Sequence, residues 1–421
     1  MMRLNMKIIW RLATFLFVGL SLAACVGLAS GTANEKPAAI ELVKGSEVMR
    51  ITLTEAAARG TGITTVPVAG VTDGLLPYDP FNYGNFSNPI QIDNPWFSLQ
   101  PGKQWIHDGI TFEEGTGTPH RIEFTVTDLT KRVDGVPTIV ALIVDISDGE
   151  IVEEEIAFFA QDDDQTVWLM GEHPEEFEDG EFKGAPTWIA GALGARAGIA
   201  MQSNPQEGTP HYAQGWAPAV NWTDRARVWK MGQTTTVGTG TYDDVLIIDE
   251  FNLMEPDIKL KYYANGVGLV RVGWRGEPID SSEDLELVDL NQIDPEALAS
   301  IREQALALDQ HAYEVSPKVY SQTEPAKLLA TAMHNGETKV AAEKNMLPPT
   351  VVPQSAVVYG LRGETWVYTL TETPLTYEQH PVTVDIMEGG MAVLSDGPPL
   401  GTEVVTVGAM ELYGVETGLG K

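Results

Sequence analysis

The sequence predicts a mainly β protein with a large antiparallel curved sheet or sandwich and two short connector helices. Three observations lead there. Short β-branched and aromatic runs recur along the chain and are separated by turn residues. No strand–helix alternation of the kind a parallel sheet needs is present. Apart from one short capped turn near Leu53, helical signals are confined to residues 291–349.

At 421 residues the chain has room for two or three domains. Its formal net charge is −32. That excludes nucleic acid as a partner, because no basic surface could displace counterions from phosphates. It also excludes a basic grip on anionic lipid. A solvated extracytoplasmic surface, or diffuse attraction for cations, fits the charge.

Residues 1–25 carry the most specific local signal. Arg3, Lys7 and Arg11 precede an apolar run from Leu12 to Leu22, which is too short to span a bilayer as a helix. The run ends Leu22-Ala23-Ala24-Cys25 and resembles a bacterial lipobox. That resemblance implies that Cys25 is acylated, becomes the mature N-terminus and anchors the protein to a membrane through its acyl chains. The other reading is an ordinary signal anchor with a chance cysteine. Val26 follows, where inner-membrane retention is associated with Asp, so the resemblance implies the outer membrane in a two-membrane cell. Cys25 is the only cysteine. The mature protein therefore has no disulfide and no thiolate catalysis.

Residues 26–40 are rich in Gly, Ala, Ser and Thr and read as a flexible tether. Val48–Ile51 and Ile63–Val68 read as strands. Between them Thr52 and Glu55 form a capping box that starts a helix near Leu53, with Gly60 at its C-terminal end. A unit this small cannot bury a core of its own and must pack on another segment. The tail offers one. Val352–Tyr359, Glu364–Thr369 and Gly401–Gly408 are β-rich runs closed by Gly, Pro or Asp.

The segment RITLTEAAARGTGITTVPV resembles the N-terminal part of periplasmic adaptor subunits, the membrane fusion proteins of resistance-nodulation-division and related metal efflux systems. The tail from Val351 to Gly414 is similar to the C-terminal part of the same family. The resemblance covers about a quarter of the chain. It implies that residues 41–69 and 350–417 form one discontinuous membrane-proximal β-domain, and that an envelope transporter is a partner. The sequence departs from the family between residues 70 and 350. It has no long helical hairpin there, so it cannot bridge a pump to a channel by that route.

Residues 77–290 read as a β-rich insert behind a Pro- and Asn-rich lead-in. Strands are expected over Arg121–Thr127, Thr138–Val144, Ile151–Ala160, Thr166–Met170, Val245–Phe251, Ile258–Tyr263, Gly268–Trp274 and Leu285–Val288. Asp134-Gly135, Asp148-Gly149 and Asn265-Gly266 mark turns, the last favouring type I′. Gly232–Gly240 reads as Thr-rich turn material. The stretches NPWFSLQPGKQWIHDG, FFAQDDDQTVWLMGE and KYYANGVGLVRVGW resemble an uncharacterised family of secreted bacterial domains. That implies a β fold and an extracytoplasmic compartment, with no chemistry attached.

Eight of the ten tryptophans lie between Trp96 and Trp274. Trp188, Trp216, Trp222 and Trp229 cluster, with Gly191, Gly194 and Gly198 nearby. They read either as an aromatic-lined pocket for an apolar or sugar-like ligand, or as filling for the core of a curved sheet. Asp162-Asp163-Asp164 and the acidic stretch Glu172–Glu181 lack the spacing of a calcium loop and read as solvated turns. The seven histidines form no HxH or HExxH set. No nucleophile elbow, phosphate loop or dinucleotide fingerprint is present. No catalytic residue, metal ligand or cofactor is therefore assigned.

In the connector, residues 291–349, Asp294-Pro295-Glu296 starts a helix running through Gln310, with Leu298, Ile301, Ala305 and Leu308 on one face. A second helix spans Pro325–His334. The sequence thus supports a non-enzymatic lipoprotein of the cell envelope. It acts either as an accessory module beside a transporter or as a periplasmic binder of lipid or a small ligand.

Overall fold

The computed structural model describes residues 39–42, 49–54, 62–70, 78–113, 116–251, 258–275, 281–340, 350–360, 363–388 and 390–417. The lipobox at Cys25, the tether ahead of Ala39 and residues 55–61 of the capped turn lie outside them. The described residues form two units, a larger one within residues 78–344 and a smaller one that joins both ends of the chain.

Four short strands open the chain: β1 (Ala39–Leu42), β2 (Met49–Thr52), β3 (Thr64–Pro67) and β4 (Ala69–Gly70). β1 begins inside the stretch read as tether. β2, β3 and β4 each pair with a strand from the far end of the chain.

The larger unit begins with an irregular lead-in containing a 3-10 turn, Tyr83–Asn85, capped by the Asn82 side chain. A meander follows: β5 (Lys103–Glu113), β6 (Thr116–Val133), β7 (Val136–Ser147), β8 (Glu150–Gln161) and β9 (Val167–Glu178). The short β10 (Glu181–Gly184) folds back on β9. Two-residue turns close three of these hairpins. Asp134 and Gly135, Asp148 and Gly149, and Asp179 and Gly180 all have positive φ, the type I′ signature that matches strand twist. Asn265-Gly266 departs from the expected type I′ turn. Only Gly266 has positive φ there, and the loop from Ala264 to Gly268 has three residues.

β11 (Trp188–Ile189), β12 (Arg196–Met201), β13 (Tyr212–Ala213) and β14 (Gly215–Trp216) are short. A second meander follows: β15 (Arg225–Val237), β16 (Gly240–Phe251), β17 (Ile258–Ala264), β18 (Gly268–Arg275) and β19 (Ser281–Gln292). β15 corrects the expectation of a turn over Gly232–Gly240. Gln233–Val237 pairs with Gly240–Val245, because β-branched threonines suit a strand and register bulges absorb Gly232.

All neighbours in this sheet are antiparallel. Its path runs β13-β15-β16-β17-β18-β19-β5-β6-β7-β8-β9-β12-β14. The two ends, β13 and β14, are separated by Gln214 alone, so residues 212–216 draw the sheet into a nearly closed barrel. Glycine permits that closure. A Cβ on Gly198 would lie 2.1 Å from the Gly215 nitrogen, and one on Gly215 would lie 2.4 Å from the Trp222 ring.

The sheet has a core on each face. The inner core includes Trp105, Val126, Ile139, Phe159, Leu169, Ile248, Tyr263 and Leu287. The outer core packs Leu129, Val140, Phe158 and Met170 against helix α1 (Pro295–Val315) and the short α2 (Pro317–Tyr320). Asp294 caps α1 by accepting from the Glu296 and Ala297 amides, both at 2.9 Å. α1 outruns its expected end at Gln310 and buries Ala305, Leu308 and Ala312. The expected second helix is shorter. Lys327–Leu328 forms β20 against β6, and only then does α3 (Leu329–Asn335) begin, ending at Gly336 in the left-handed region.

The smaller unit takes its remaining elements from the tail: β21 (Thr350–Pro353), β22 (Val358–Tyr359), β23 (Thr365–Leu370), β24 (Thr376–Pro381), β25 (Thr383–Glu388), β26 (Met391–Asp396), β27 (Glu403–Val407) and α4 (Ala409–Thr417). One sheet runs β1-β2-β24-β23-β27-β3, with β22 also on β23; the other runs β25-β26-β21-β4. Strands from both ends of the chain thus join in each sheet, which makes this β-domain discontinuous. Arg50 pairs with Glu378 at 2.6 Å. Ile51, Leu53, Tyr368, Val405 and Leu412 share one core. Val68, Val352, Val367, Leu394 and Val404 share a second.

Candidate functional site

Side chains alternate between the faces of a strand, and directly paired residues share a face. The inner core therefore shows which residues of the larger unit look inward. On β8 these include Phe159 and Ala157, and the same parity continues to Glu155 and Glu153. On β16 it runs Leu246, Ile248, Glu250, and on β17 Tyr263, Lys261, Lys259. On β6 it runs Val126, Phe124, Ile122, His120, on β7 Ile139, Ala141, Ile143, Asp145, and on β19 Leu287, Leu285, Glu283. The lumen is thus apolar along one length of the strands and charged along the rest.

Glu283 anchors one part of this layer. It accepts from Lys259 Nζ at 2.9 Å and from His120 Nδ1 at 3.0 Å. His120 Nε2 donates to Asp145 Oδ1 at 2.7 Å. Burial alone would lower the His120 pKa, but its bonds to Asp145 and Glu283 raise it to about 9, so the ring carries a charge at neutral pH. Burial likewise opposes ionisation of Glu283, yet Lys259 and His120 hold its pKa far below the usual carboxylate range. In a second part, Lys261 Nζ meets Glu250 Oε2 at 2.8 Å, and Gln214 donates to Glu250 Oε1 at 2.6 Å. That bond ties the closing segment to the layer.

Glu155 and Tyr212 are among the groups that lack the partners burial normally demands. One carboxyl oxygen of Glu155 is enclosed and has no hydrogen-bond partner among the described residues. Burial, then Glu172 and Glu153, push the Glu155 pKa well above the ordinary value, against the opposing pull of Lys261. The Tyr212 hydroxyl also has no partner among the described residues, although Tyr212 is 2% exposed. The layer nonetheless borders space that protein does not fill. The inward-facing Lys259 and Lys261 side chains keep 40% and 29% of their surface accessible.

The four tryptophans singled out from the sequence are only partly brought together. Trp188 and Trp222 stack inside the barrel, centroids 5.2 Å apart and planes 28° from parallel. Trp188 Nε1 donates to Glu172 Oε2 at 2.8 Å. Trp216 sits at the closure on β14, its indole N–H buried without a partner among the described residues. Trp229 does not join them. It lies on the opposite face with Val245, Ile247 and Leu260, under Lys230 at 4.5 Å and Arg275 at 5.1 Å. A single four-ring pocket is therefore not formed.

The Asp162–Asp164 turn fastens the lead-in: Asp163 accepts from Ser87, and Asp164 from Asn85. Asp162 accepts from the Trp168 indole at 2.9 Å. Among the described residues, no group of three or more His, Cys, Asp or Glu side chains is placed to hold a metal ion.

Sequence reading missed Lys259, Lys261, His120, Glu155 and Glu283. One signal was available. Lys259-Leu260-Lys261 alternates as a half-buried strand does, and the apolar residues of that strand cover its outer side.

No family model and no curated protein matches the chain. Neither comparison therefore supports the efflux-adaptor resemblance. Among solved structures, a protein from Bacteroides fragilis described as exported, with a YmcC-like fold, aligns at 11% identity and TM-score 0.29. The alignment covers 49% of this chain and 99% of that one. A protein described as a lipoprotein from Parabacteroides distasonis aligns at 12% identity and TM-score 0.26, over 47% and 99%. A β-barrel-like protein of a domain of unknown function from Brucella abortus gives the same values. No conclusion below rests on similarity at that level.

Proposed function

We propose that the chain is a non-enzymatic, lipid-anchored protein of the bacterial envelope, and that its larger unit holds a small polar ligand in the charged layer of its lumen. The lipobox at Cys25 supports the anchor, on the periplasmic or extracellular side of the membrane. One observation carries the ligand reading. Lys259 and Lys261 point into a nearly closed sheet yet keep much of their surface accessible. A purely structural plug would cover such groups, since burying charge is costly unless every group is paired. Native mass spectrometry of the chain purified from envelopes tests this. A small non-covalent adduct that leaves on denaturation is expected; a bare chain from every preparation overturns it.

A second reading draws on the smaller unit. The pairing of β3 with β27 and of β2 with β24 builds the kind of discontinuous domain that the adaptor resemblance implies. On this reading the protein is an accessory module beside an envelope transporter. Cross-linking of the anchored chain in membranes tests it. Recovery of a transporter subunit is expected, and its absence from every cross-linked product counts against the reading.

A further inference from the structure

We propose that the ligand of the charged layer is an organic cation, an aliphatic amine or polyamine, seated against Glu155 with the Trp188–Trp222 pair beside it. This rests on the reading of the lumen as a ligand site.

Formal charge favours a cation. Asp145, Glu153, Glu155, Glu172, Glu250 and Glu283 face inward, against Lys259, Lys261 and His120. Those three bases are already held by Glu283, Glu250 and Asp145. The acids of β8 and β9 are concentrated on one wall. Ala157 pairs with Glu172, so Glu155 is the diagonal neighbour of Glu172 on the same face. The enclosed, unpartnered Glu155 oxygen is an acceptor without a donor, and an ammonium group supplies donors and opposite charge together.

The aromatic pair points the same way. Glu172 holds the buried Trp188 indole by its N–H, and Trp222, stacked on it and only partly buried, offers the electron-rich surface that attracts ammonium groups. An organic cation fits better than a metal ion, because no described group of three ligands is placed to hold one.

Binding has a proton balance. Burial and the neighbouring Glu172 and Glu153 favour the protonated form of Glu155 before binding, against the pull of Lys261. A seated cation favours the carboxylate, so the carboxyl O–H breaks and the proton passes to solvent. Binding is therefore coupled to proton release from Glu155 and tightens as pH rises.

Calorimetric titration of the full mature chain with spermidine, in buffers of different ionisation enthalpy at physiological salt, tests this. Succinate, glucose and calcium serve as the other probes. The expected result is one saturable spermidine site with net proton release, weakened about tenfold or more in Glu155→Gln. Should that variant not fold, the proton count of the unmodified chain decides alone. Spermidine uptake with no proton release and many equivalent sites is condensation on an acidic surface and overturns the proposal. A single site for succinate or glucose, lost in Lys261→Met, leaves the ligand reading standing and removes the cation. A single calcium site also removes the organic cation. No binding of any probe, together with a bare chain in native mass spectrometry, removes both.

Discussion

In two of the places where the larger unit buries charge, it does so in opposite ways. Beneath α1, Lys131 Nζ meets Asp309 at 2.9 Å, the Glu324 carbonyl at 2.7 Å and the Tyr313 hydroxyl at 3.2 Å, and lies 4.3 Å over the Tyr320 ring. Asp309 also accepts from the Tyr320 hydroxyl and the Ala326 amide. The Lys131 and Asp309 side chains are 0% and 4% exposed. In the lumen, by contrast, the lysines are partly accessible and acceptor and donor groups stand without partners. A sealed, saturated network fastens one element to another. An open, unsaturated one has capacity left over for something else.

The comparison breaks most severely on the sealed side. Asp309→Ala strands the Lys131 charge and is expected to cost about 3–5 kcal/mol in urea unfolding. Replacing both partners with apolar residues of similar volume should recover most of that loss. A double variant as unstable as the single one would show that the network does more than pin α1 and α2 to the sheet.

The next effect is one of pH. The folded pKa of His120 lies near 9, above its ordinary value of 6.5. Its contribution is therefore present below pH ~6.5 and lost as pH rises through ~9. The size is up to about 3 kcal/mol, less what solvent screening in the open layer removes. His107 has the opposite sign. Burial lowers its pKa to about 4, so its contribution is present above pH ~6.5 and fades as pH falls. Stability of the larger unit should thus peak near neutrality, and His120→Gln should flatten the alkaline limb alone. An unchanged limb in that variant would remove His120 from the account.

A smaller effect separates site from fastener directly. Glu155→Leu removes an unpartnered buried polar group, so it is expected to stabilise the fold by about 1–2 kcal/mol in thermal unfolding. Marked destabilisation would mean that Glu155 belongs to the structural network after all. The smallest effect lies at the start of the fastened helix. Asp294→Ala removes two amide bonds at the α1 cap and should cost about 1 kcal/mol by the same measurement.

Much of the architecture was legible in the sequence because it depends on local chemistry. The Asp-Gly turns, the alternation along β6 to β8 and the capped start of α1 each follow from a few neighbouring residues. The residues around β2 and β3 showed only that this small unit had to pack on another segment; the resemblance to adaptor subunits pointed to the tail. β5 and β15 were missed. Each carries inward polar residues and a glycine, which break the apolar–polar alternation that marks a strand, and each has a register shift in a pairing. The candidate site was hidden for a related reason. Its charges come from strands far apart in sequence, and alternation cannot reveal whether a polar face looks toward water or into a lumen. The tryptophan cluster was half informative: Trp188 and Trp222 meet, whereas Trp229 falls on the other face because its position along β15 has the opposite parity.

The contrast between a sealed and an open set of lysines can be read directly by reductive methylation of the folded chain with formaldehyde, followed by peptide mass mapping. Lys259 and Lys261 are expected to react while Lys131 stays unmodified until the protein is unfolded. Equal protection of all three would contradict an accessible charged lumen and leave the layer a structural plug.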